Sequence, residues 1–225
     1  MHTDKKITKL LLQFSAICSA LLFYRIFKTG YLTYLFMLWN LFLAWIPYLI
    51  SAYSITKKNE RKILEKETPL LLTWLLFLPN SPYIITDLVH MGTRGDEGFW
   101  FNLLLILSFA FTGLLLFMFS INHITDKVLH NQKLFIKKTI LYAVFFLCGY
   151  GLYLGRLLRF NSWDIVTDPM QLAGAIYESL FNPLWMKETL GVSCLFALFL
   201  YFGYKAFIGI ASLKTLRKNE PEIFN

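Results

Sequence analysis

Apolar runs long enough to cross a membrane recur along this chain, and most of its charged residues lie between them. An α-helix of about 20 apolar residues spans the hydrocarbon core of a bilayer and satisfies its own backbone polar groups there. The sequence therefore predicts an all-α membrane protein, a bundle of six transmembrane helices forming one transmembrane domain over residues 1–225. The predicted spans lie near residues 10–27, 31–53, 69–89, 100–121, 139–155 and 189–211.

Composition supports the membrane class. The chain is 56% hydrophobic and 16% charged, whereas soluble domains carry about 25% charged residues. Aromatic residues make up 18% of the chain, which is typical of proteins with aromatic belts at the two membrane surfaces. Cys18, Cys148 and Cys194 all fall inside apolar runs. We therefore interpret them as small apolar side chains rather than disulfides or metal ligands, and we predict no cofactor.

Residues 170–187 predict an amphipathic helix that lies in the membrane surface instead of crossing the bilayer. Its apolar residues recur at helical spacing, and polar residues occupy the opposite side, so the segment is too polar to span. The apolar face contains Leu172, Ala173, Ile176, Tyr177, Leu180, Phe181 and Leu184, and the polar face contains Gln171, Gly174, Glu178 and Asn182.

The distribution of basic residues predicts the orientation in the membrane. Six spans divide the connecting segments between two sides, and the side that holds both termini carries 15 Lys and Arg residues against five on the other side. The positive-inside rule then places both termini in the cytoplasm. The net charge of +8 follows from this asymmetry and from anionic lipid at the inner surface. We predict the lipid bilayer as the partner and no nucleic acid.

The third span is predicted to be broken. Pro69 opens a strongly apolar stretch, but Pro79 and Pro82 follow at about half the depth of the hydrocarbon core. Each proline removes a backbone donor and disfavours helix at the preceding residue. Irregular backbone at that depth must be buried in protein or line a wet cavity. The sequence leaves open whether residues 79–83 form a re-entrant turn or a kink.

Two polar motifs are predicted to lie at the outer face. If helix resumes after Pro82, Asp87 and His90 share one side of it at i, i+3. Arg156 and Arg159 have the same spacing near the end of the fifth span, so they are also expected to share a helix face. One interpretation is that the two arginines clamp a phosphate or carboxylate. The alternative is an internal ion-pair network with an outer-face carboxylate. The carboxylates available to that network are Asp87, Asp164 and Asp168.

A metal site at the same face is the weaker hypothesis. Carboxylates and His90 are present, but their spacing matches no defined metal motif, and we assign no metal. The residues considered for it are Asp87, His90, Asp96, Glu97 and Asp164. Asn40, near the middle of the second span, must find a polar partner inside the bundle. The predicted ligand-binding residues are Asn80, Asp87, His90, Arg156, Arg159, Asn161 and Asp164.

Three sequence blocks, residues 40–47, 74–88 and 155–164, resemble the hallmark blocks of a bacterial membrane-protein family known as domain of unknown function 1361. The Pro-Asn-x-Pro-Tyr block within residues 79–83 is fairly specific, and the likeness extends from about residue 30 to 210. The resemblance implies a multi-pass membrane protein of a bacterial cytoplasmic membrane. It implies no activity and no role for any residue.

Three functional hypotheses remain. The leading hypothesis is binding or transport of an anionic or lipid-linked ligand in an extracytoplasmic polar pocket, without covalent chemistry. The second is an enzyme at the outer face that acts on a lipid-linked substrate, with Asp87 or His90 as general base. The third is a structural or assembly partner of another membrane protein, in which the polar residues only hold helices together.

Overall fold

The computed structural model describes residues 2–56, 68–90 and 98–219, and every regular element in these ranges is a helix. The predicted polar linker at 57–67 and the acidic residues Asp96 and Glu97 lie outside the described residues. A 3-10 helix, Ile84–His90, lies between α4 and α5. The α-helices are α1 His2–Thr29, α2 Phe36–Thr56, α3 Thr68–Phe77, α4 Asn80–Tyr83, α5 Phe99–Lys127, α6 Leu134–Arg156, α7 Asp164–Thr167, α8 Pro169–Phe181 and α9 Pro183–Asn219.

Within these ranges, five segments are long and apolar enough to cross a membrane. They correspond to α1, the composite third span Thr68–His90, α5, α6 and α9. The prediction of an all-helical membrane protein is confirmed. The second predicted span is shorter than expected, because the chain turns through residues 31–35 and α2 begins only at Phe36. Among the residues whose side chains the structure describes, its apolar part covers Phe36–Ala52.

Helix α5 lies at the centre of the molecule. One side of it packs in a hydrophobic cluster with α1 and α2 around Phe109 and Leu116. The other side packs with α3, α6 and α9 around Phe117 and Ile121. Side chains on opposite faces of one helix therefore join the two halves of the bundle, and α5 forms the wall behind the third span.

Long helices that follow one another in the sequence run in opposite directions. At one end of the bundle, the Thr8 hydroxyl is 2.7 Å from the Tyr48 hydroxyl, and the Phe119 and Phe207 ring centroids are 5.0 Å apart. At the other end, Arg25 Nε donates to Asn102 Oδ1 over 2.7 Å. The start of α1 and the later part of α9 therefore share one end of the bundle.

The third span is interrupted at the position that the sequence predicts, and the chain is helical on both sides of the interruption. Helix α3 ends at Phe77, and a turn at Leu78 and Pro79 leads into the one-turn helix α4. Pro82 lies inside α4 and does not cause a second break, because the first turn of a helix does not require its missing N–H. The segment is thus a kink that continues as a tighter 3-10 helix.

The amphipathic segment ends earlier than the predicted residue 187. Helix α8 ends at Phe181, Asn182 adopts an extended conformation, and α9 begins at Pro183. Proline disfavours helix at the residue before it, and the Asn182 side-chain oxygen accepts from the Leu184 backbone N–H at 3.1 Å. Residues 183–187 therefore belong to the last long helix.

Glycines let α5 and α6 approach the kinked span closely. A Cβ on Gly113 would collide with the Ser81 carbonyl oxygen, and one on Gly151 would lie 2.7 Å from Pro79 Cγ. Only glycine permits these approaches, so α5 and α6 hold the kink from two sides.

We predict that Gly113→Ala lowers the free energy of unfolding by about 1–3 kcal/mol, since the new methyl group must displace backbone. Gly191→Ala is the matched control, because nothing lies within 4 Å of its added Cβ. The control is expected to be neutral or slightly stabilising. Thermal unfolding of both variants in one detergent measures the difference, and equal midpoints would contradict the close approach.

Candidate functional site

A pocket of about 690 Å³ lies at one end of the bundle, beside the kink of the third span. Its walls come from the first half of α2, the segment from Leu76 to His90, the last turns of α6 and the loop that follows α6. Leu172 of α8 also reaches it. Six of the seven predicted ligand-binding residues line this pocket: Asn80, Asp87, His90, Arg156, Arg159 and Asn161.

Asp87 is buried at the bottom of this region, with 1% of its surface exposed. Arg156 Nη2 donates to Asp87 Oδ1 over 2.6 Å, and Asn40 Nδ2 donates to Asp87 Oδ2 over 3.0 Å. Both carboxylate oxygens are therefore engaged. Asn40 thus has the polar partner that its place in an apolar helix required, and α2, the third span and α6 meet at one carboxylate.

Every nitrogen of the Arg156 guanidinium is engaged. Besides the ion pair, Nε donates to Thr86 Oγ1 over 2.8 Å, and Nη1 lies 3.2 Å from His90 Nε2. A guanidinium only donates, so His90 Nε2 accepts in this contact. The plane of Arg156 also lies over the Tyr83 ring, with 4.8 Å from Cζ to the ring centroid.

The 3-10 helix explains why these contacts converge. Residues three apart eclipse one another in a 3-10 helix, so Asp87 and His90 fall on the same side, as the sequence predicted. Gly155 lets Tyr83 approach α6, because a Cβ there would lie 3.1 Å from Tyr83 Cε2. Asp87 and Arg156 form an internal ion pair, as the alternative interpretation of Arg156 proposed.

Arg159 behaves differently from Arg156. Helix α6 ends at Arg156, so the two arginines do not share a helix face, and that expectation was wrong. The chain turns back through a bond from Phe160 N–H to the Leu154 carbonyl at 3.1 Å. Arg159 is exposed and has a φ of 61°. A left-handed conformation costs a non-glycine residue about 1 kcal/mol.

The Arg159 side chain forms no hydrogen bond or ion pair with any residue that the structure describes. It lines the same pocket as Asp87 and is exposed. An exposed cation that is bound by none of the described residues can bind an anion.

Asn80 fastens the loop after α6 to the kink. Its Nδ2 donates to the Phe77 carbonyl over 3.0 Å and to Ser162 Oγ over 2.8 Å. Ser162 Oγ in turn donates to the Leu76 carbonyl over 3.2 Å. These bonds satisfy backbone oxygens that the break leaves without helical donors. Asn80 therefore has a structural task in addition to lining the pocket.

Asp164 is the predicted residue that the pocket does not include. Its carboxylate accepts from the Asn161 backbone N–H at 2.6 Å and from the Thr167 hydroxyl at 3.1 Å. These are local bonds that shape the start of α7, as is common for Asp near helix starts. Asn161 lies at the pocket by its position in this turn.

Aromatic residues at the pocket mouth were missed by sequence reasoning. The Trp39 and Trp163 ring centroids are 6.0 Å apart with the planes at 66°, and Phe36 packs edge-on against the His90 ring at 5.5 Å. Trp39 and Phe36 resemble ordinary interfacial aromatics in sequence. The polar neighbours that distinguish them come from distant segments.

Among the residues that the structure describes, no group of three or more His, Cys, Asp or Glu side chains is arranged to hold a metal ion.

The sequence profile of a family described as "Protein of unknown function (DUF1361)" matches residues 39–202. The chain belongs to this family. The matched region contains the kinked span, Asp87, Arg156 and the loop with Arg159. No curated protein and no solved structure matches this DUF1361 chain. The family assignment therefore adds no chemistry, and the membrane class is supported by the apolar helices themselves.

We predict that Arg156→Met destabilises the protein by about 3–5 kcal/mol, because it leaves the Asp87 carboxylate buried without a counter-charge. Adding Asp87→Asn is expected to recover part of that loss, since an uncharged amide can still accept from Asn40. Unfolding midpoints of both single variants and the double variant give the coupling free energy.

Arg159→Met is the matched control for this cycle, because Arg159 is exposed and has no described partner. Its expected effect on stability lies within about 0.5 kcal/mol. Strictly additive effects of Arg156→Met and Asp87→Asn would contradict the ion pair.

Proposed function

We propose that this DUF1361 protein crosses the bacterial cytoplasmic membrane six times, with both termini in the cytoplasm. We propose further that it binds or transports an anionic or lipid-linked ligand in a pocket open to the outside. The observation that carries the ligand proposal is the combination of a 690 Å³ pocket with an exposed arginine at its rim. The coarser statement, a multi-pass membrane protein, rests on the apolar helices and the family.

The alternation of helix directions supports six crossings. Ser51 Oγ lies 3.4 Å from His123 Nδ1, so the end of α2 meets the later part of α5, as expected of two crossings that end on the same side. With α2 counted as a crossing, the start of α1 and the end of α9 face the side that holds 15 basic residues. The pocket then opens at the opposite, extracytoplasmic side.

Cysteine labelling in cells tests this orientation. We predict that Thr167→Cys, in a background without the three native cysteines, reacts with a membrane-impermeant maleimide in intact cells with a permeable outer layer. Asn131→Cys is expected to react only after the membrane is opened. Both positions are exposed, so accessibility differs only through the membrane. Labelling of Asn131→Cys in intact cells would contradict this orientation and indicate the opposite one.

The pocket has the dimensions and lining of a small-molecule site. Ligand pockets commonly enclose about 300–1,000 Å³ and combine apolar walls with a few polar groups. Here Leu43, Leu76 and Leu154 form apolar wall, and Arg159 supplies a cation at the rim. Binding without covalent chemistry requires nothing further from these side chains.

Asp87 is poorly suited to act as a general base. A base must reach the proton that it removes, whereas Asp87 is 1% exposed and both of its oxygens accept hydrogen bonds. This argues against the enzyme hypothesis in its simplest form. The assembly hypothesis is favoured for one part of the site, since Asn40, Asp87 and Arg156 join three segments of the bundle.

Native mass spectrometry of the protein in mild detergent distinguishes ligand binding from a purely structural role. We expect an adduct of defined mass on the wild type that is lost in Leu172→Trp, because the larger ring fills the pocket from α8. Leu195→Trp, on an exposed face of α9 outside the pocket lining, should retain it. A folded wild type without any adduct would favour the assembly hypothesis.

A further inference from the structure

We propose that the ligand is a phosphate-bearing amphiphile whose anionic group binds Arg159, while its hydrocarbon portion lies against the apolar wall between α2 and α8. This inference rests on the proposed function, because it names the ligand class of the same pocket. It also divides the two arginines that the sequence pairs, with Arg156 as a positioning residue and Arg159 as the contact to the ligand.

Arg156 is committed chiefly to the protein itself. Asp87 neutralises its charge at 2.6 Å, and each of its other two nitrogens meets Thr86 or His90, while the Tyr83 ring covers one face. A phosphate that drew Arg156 away from Asp87 would leave the carboxylate buried without its partner, which is strongly unfavourable.

Arg159 has the opposite properties. It is exposed at the rim, and its side chain has no described partner. Its φ of 61° lies in the left-handed region, where helix ends commonly place glycine or asparagine instead. Glycine would fit this backbone better, so the arginine side chain carries a cost in stability. An observed strained residue at a pocket is a reason to infer a function for its side chain.

The pocket is much larger than an inorganic anion requires. At about 30 Å³ per water molecule, 690 Å³ corresponds to roughly twenty waters. Most of this volume is bounded by apolar side chains. Leu43 and Trp39 contribute from α2, and Leu172 contributes from α8. A ligand that fills this space is therefore largely apolar, with its charge at one end.

The wall along α2 faces hydrocarbon in the proposed orientation. Helix α2 contains no Asp, Glu, Lys or Arg, and Trp39 and Phe42 on it are 52% and 56% exposed. A ligand chain that leaves the pocket along Trp39 therefore enters the acyl region of the bilayer. This arrangement suits a lipid or a lipid-linked phosphate and does not suit a soluble anion.

Titration with phosphatidylglycerol in detergent, followed by native mass spectrometry, tests the assignment. The wild type is compared with Arg159→Gly and with Lys28→Ala, which removes an exposed cation at the same end of the bundle but outside the pocket. We expect equal dissociation constants for the wild type and Lys28→Ala. Arg159→Gly should bind at least about tenfold more weakly, the usual effect of losing a charge-assisted hydrogen bond.

Thermal unfolding checks that Arg159→Gly is folded, and its midpoint is expected to equal or exceed that of the wild type because glycine relieves the left-handed strain. Inorganic phosphate in excess, as a competitor, distinguishes a lipid from a free anion. We expect it not to displace phosphatidylglycerol. Diacylglycerol, which has the same hydrocarbon chains but no phosphate, is expected to bind the wild type and Arg159→Gly equally.

Each contrary result contradicts a separate part of the account. Unchanged phosphatidylglycerol binding by Arg159→Gly would overturn the role of Arg159 and leave the pocket proposal intact. Displacement of phosphatidylglycerol by inorganic phosphate would show that the ligand need not be an amphiphile, although the site would still bind anions. No binding of phosphatidylglycerol, with the Leu172→Trp-sensitive adduct still present, would overturn the phosphate class. Absence of that adduct as well would overturn the proposed function itself.

Discussion

The end of the bundle that holds the pocket depends on one buried carboxylate and the arginine that neutralises it. Asp87 lies in the kinked third span and Arg156 at the end of α6, and their contact at 2.6 Å brings two distant segments together. In an apolar setting neither charge is stable alone. Their pairing therefore fixes how the third span, α6 and, through Asn40, α2 are arranged around the pocket.

The kink and the pair require each other. The interruption at Leu78 and Pro79 gives the span a 3-10 ending, which places Asp87 and His90 on the side that faces Arg156. Gly151 and Gly155 let α6 approach that side closely. Arg156 is held there at the end of α6, and the chain beyond it turns back so that Arg159 also lines the pocket. The buried pair thus helps to position the exposed cation.

Much of the fold was predictable from single residues. The apolar runs gave the helical membrane class, Pro79 gave the break, and Asn40 in an apolar run gave the need for a polar partner. The different roles of Arg156, in the buried ion pair, and Arg159, at the pocket rim, were not predictable. Their i, i+3 spacing suggests a shared face, and only the end of α6 at Arg156 separates them. Trp39 and Trp163 lie 124 positions apart in sequence, and their contact depends on the tertiary packing.

The early end of α8 was missed for a local reason. The apolar periodicity continues through Leu184, but Pro183 and the Asn182 cap decide the boundary. At this boundary the backbone requirements of proline and asparagine decide the helix end, and the side-chain pattern does not. At Pro82 the sequence suggested a second break, but this proline lies inside α4. Whether a proline interrupts a helix or fits within it depends on its distance from the start of that helix.

The most direct test of the account is an NMR spectrum of the protein carrying ¹⁵N-labelled arginine, recorded with and without phosphatidylglycerol. Arg156→Lys and Arg159→Gly assign the two Nε–H signals. The account predicts that the Arg156 Nε–H, which donates to Thr86, is protected from solvent exchange under both conditions. The Arg159 Nε–H should be visible only when the lipid is bound. A lipid-induced change at Arg156 together with none at Arg159 would contradict the division between a structural and a ligand-binding arginine.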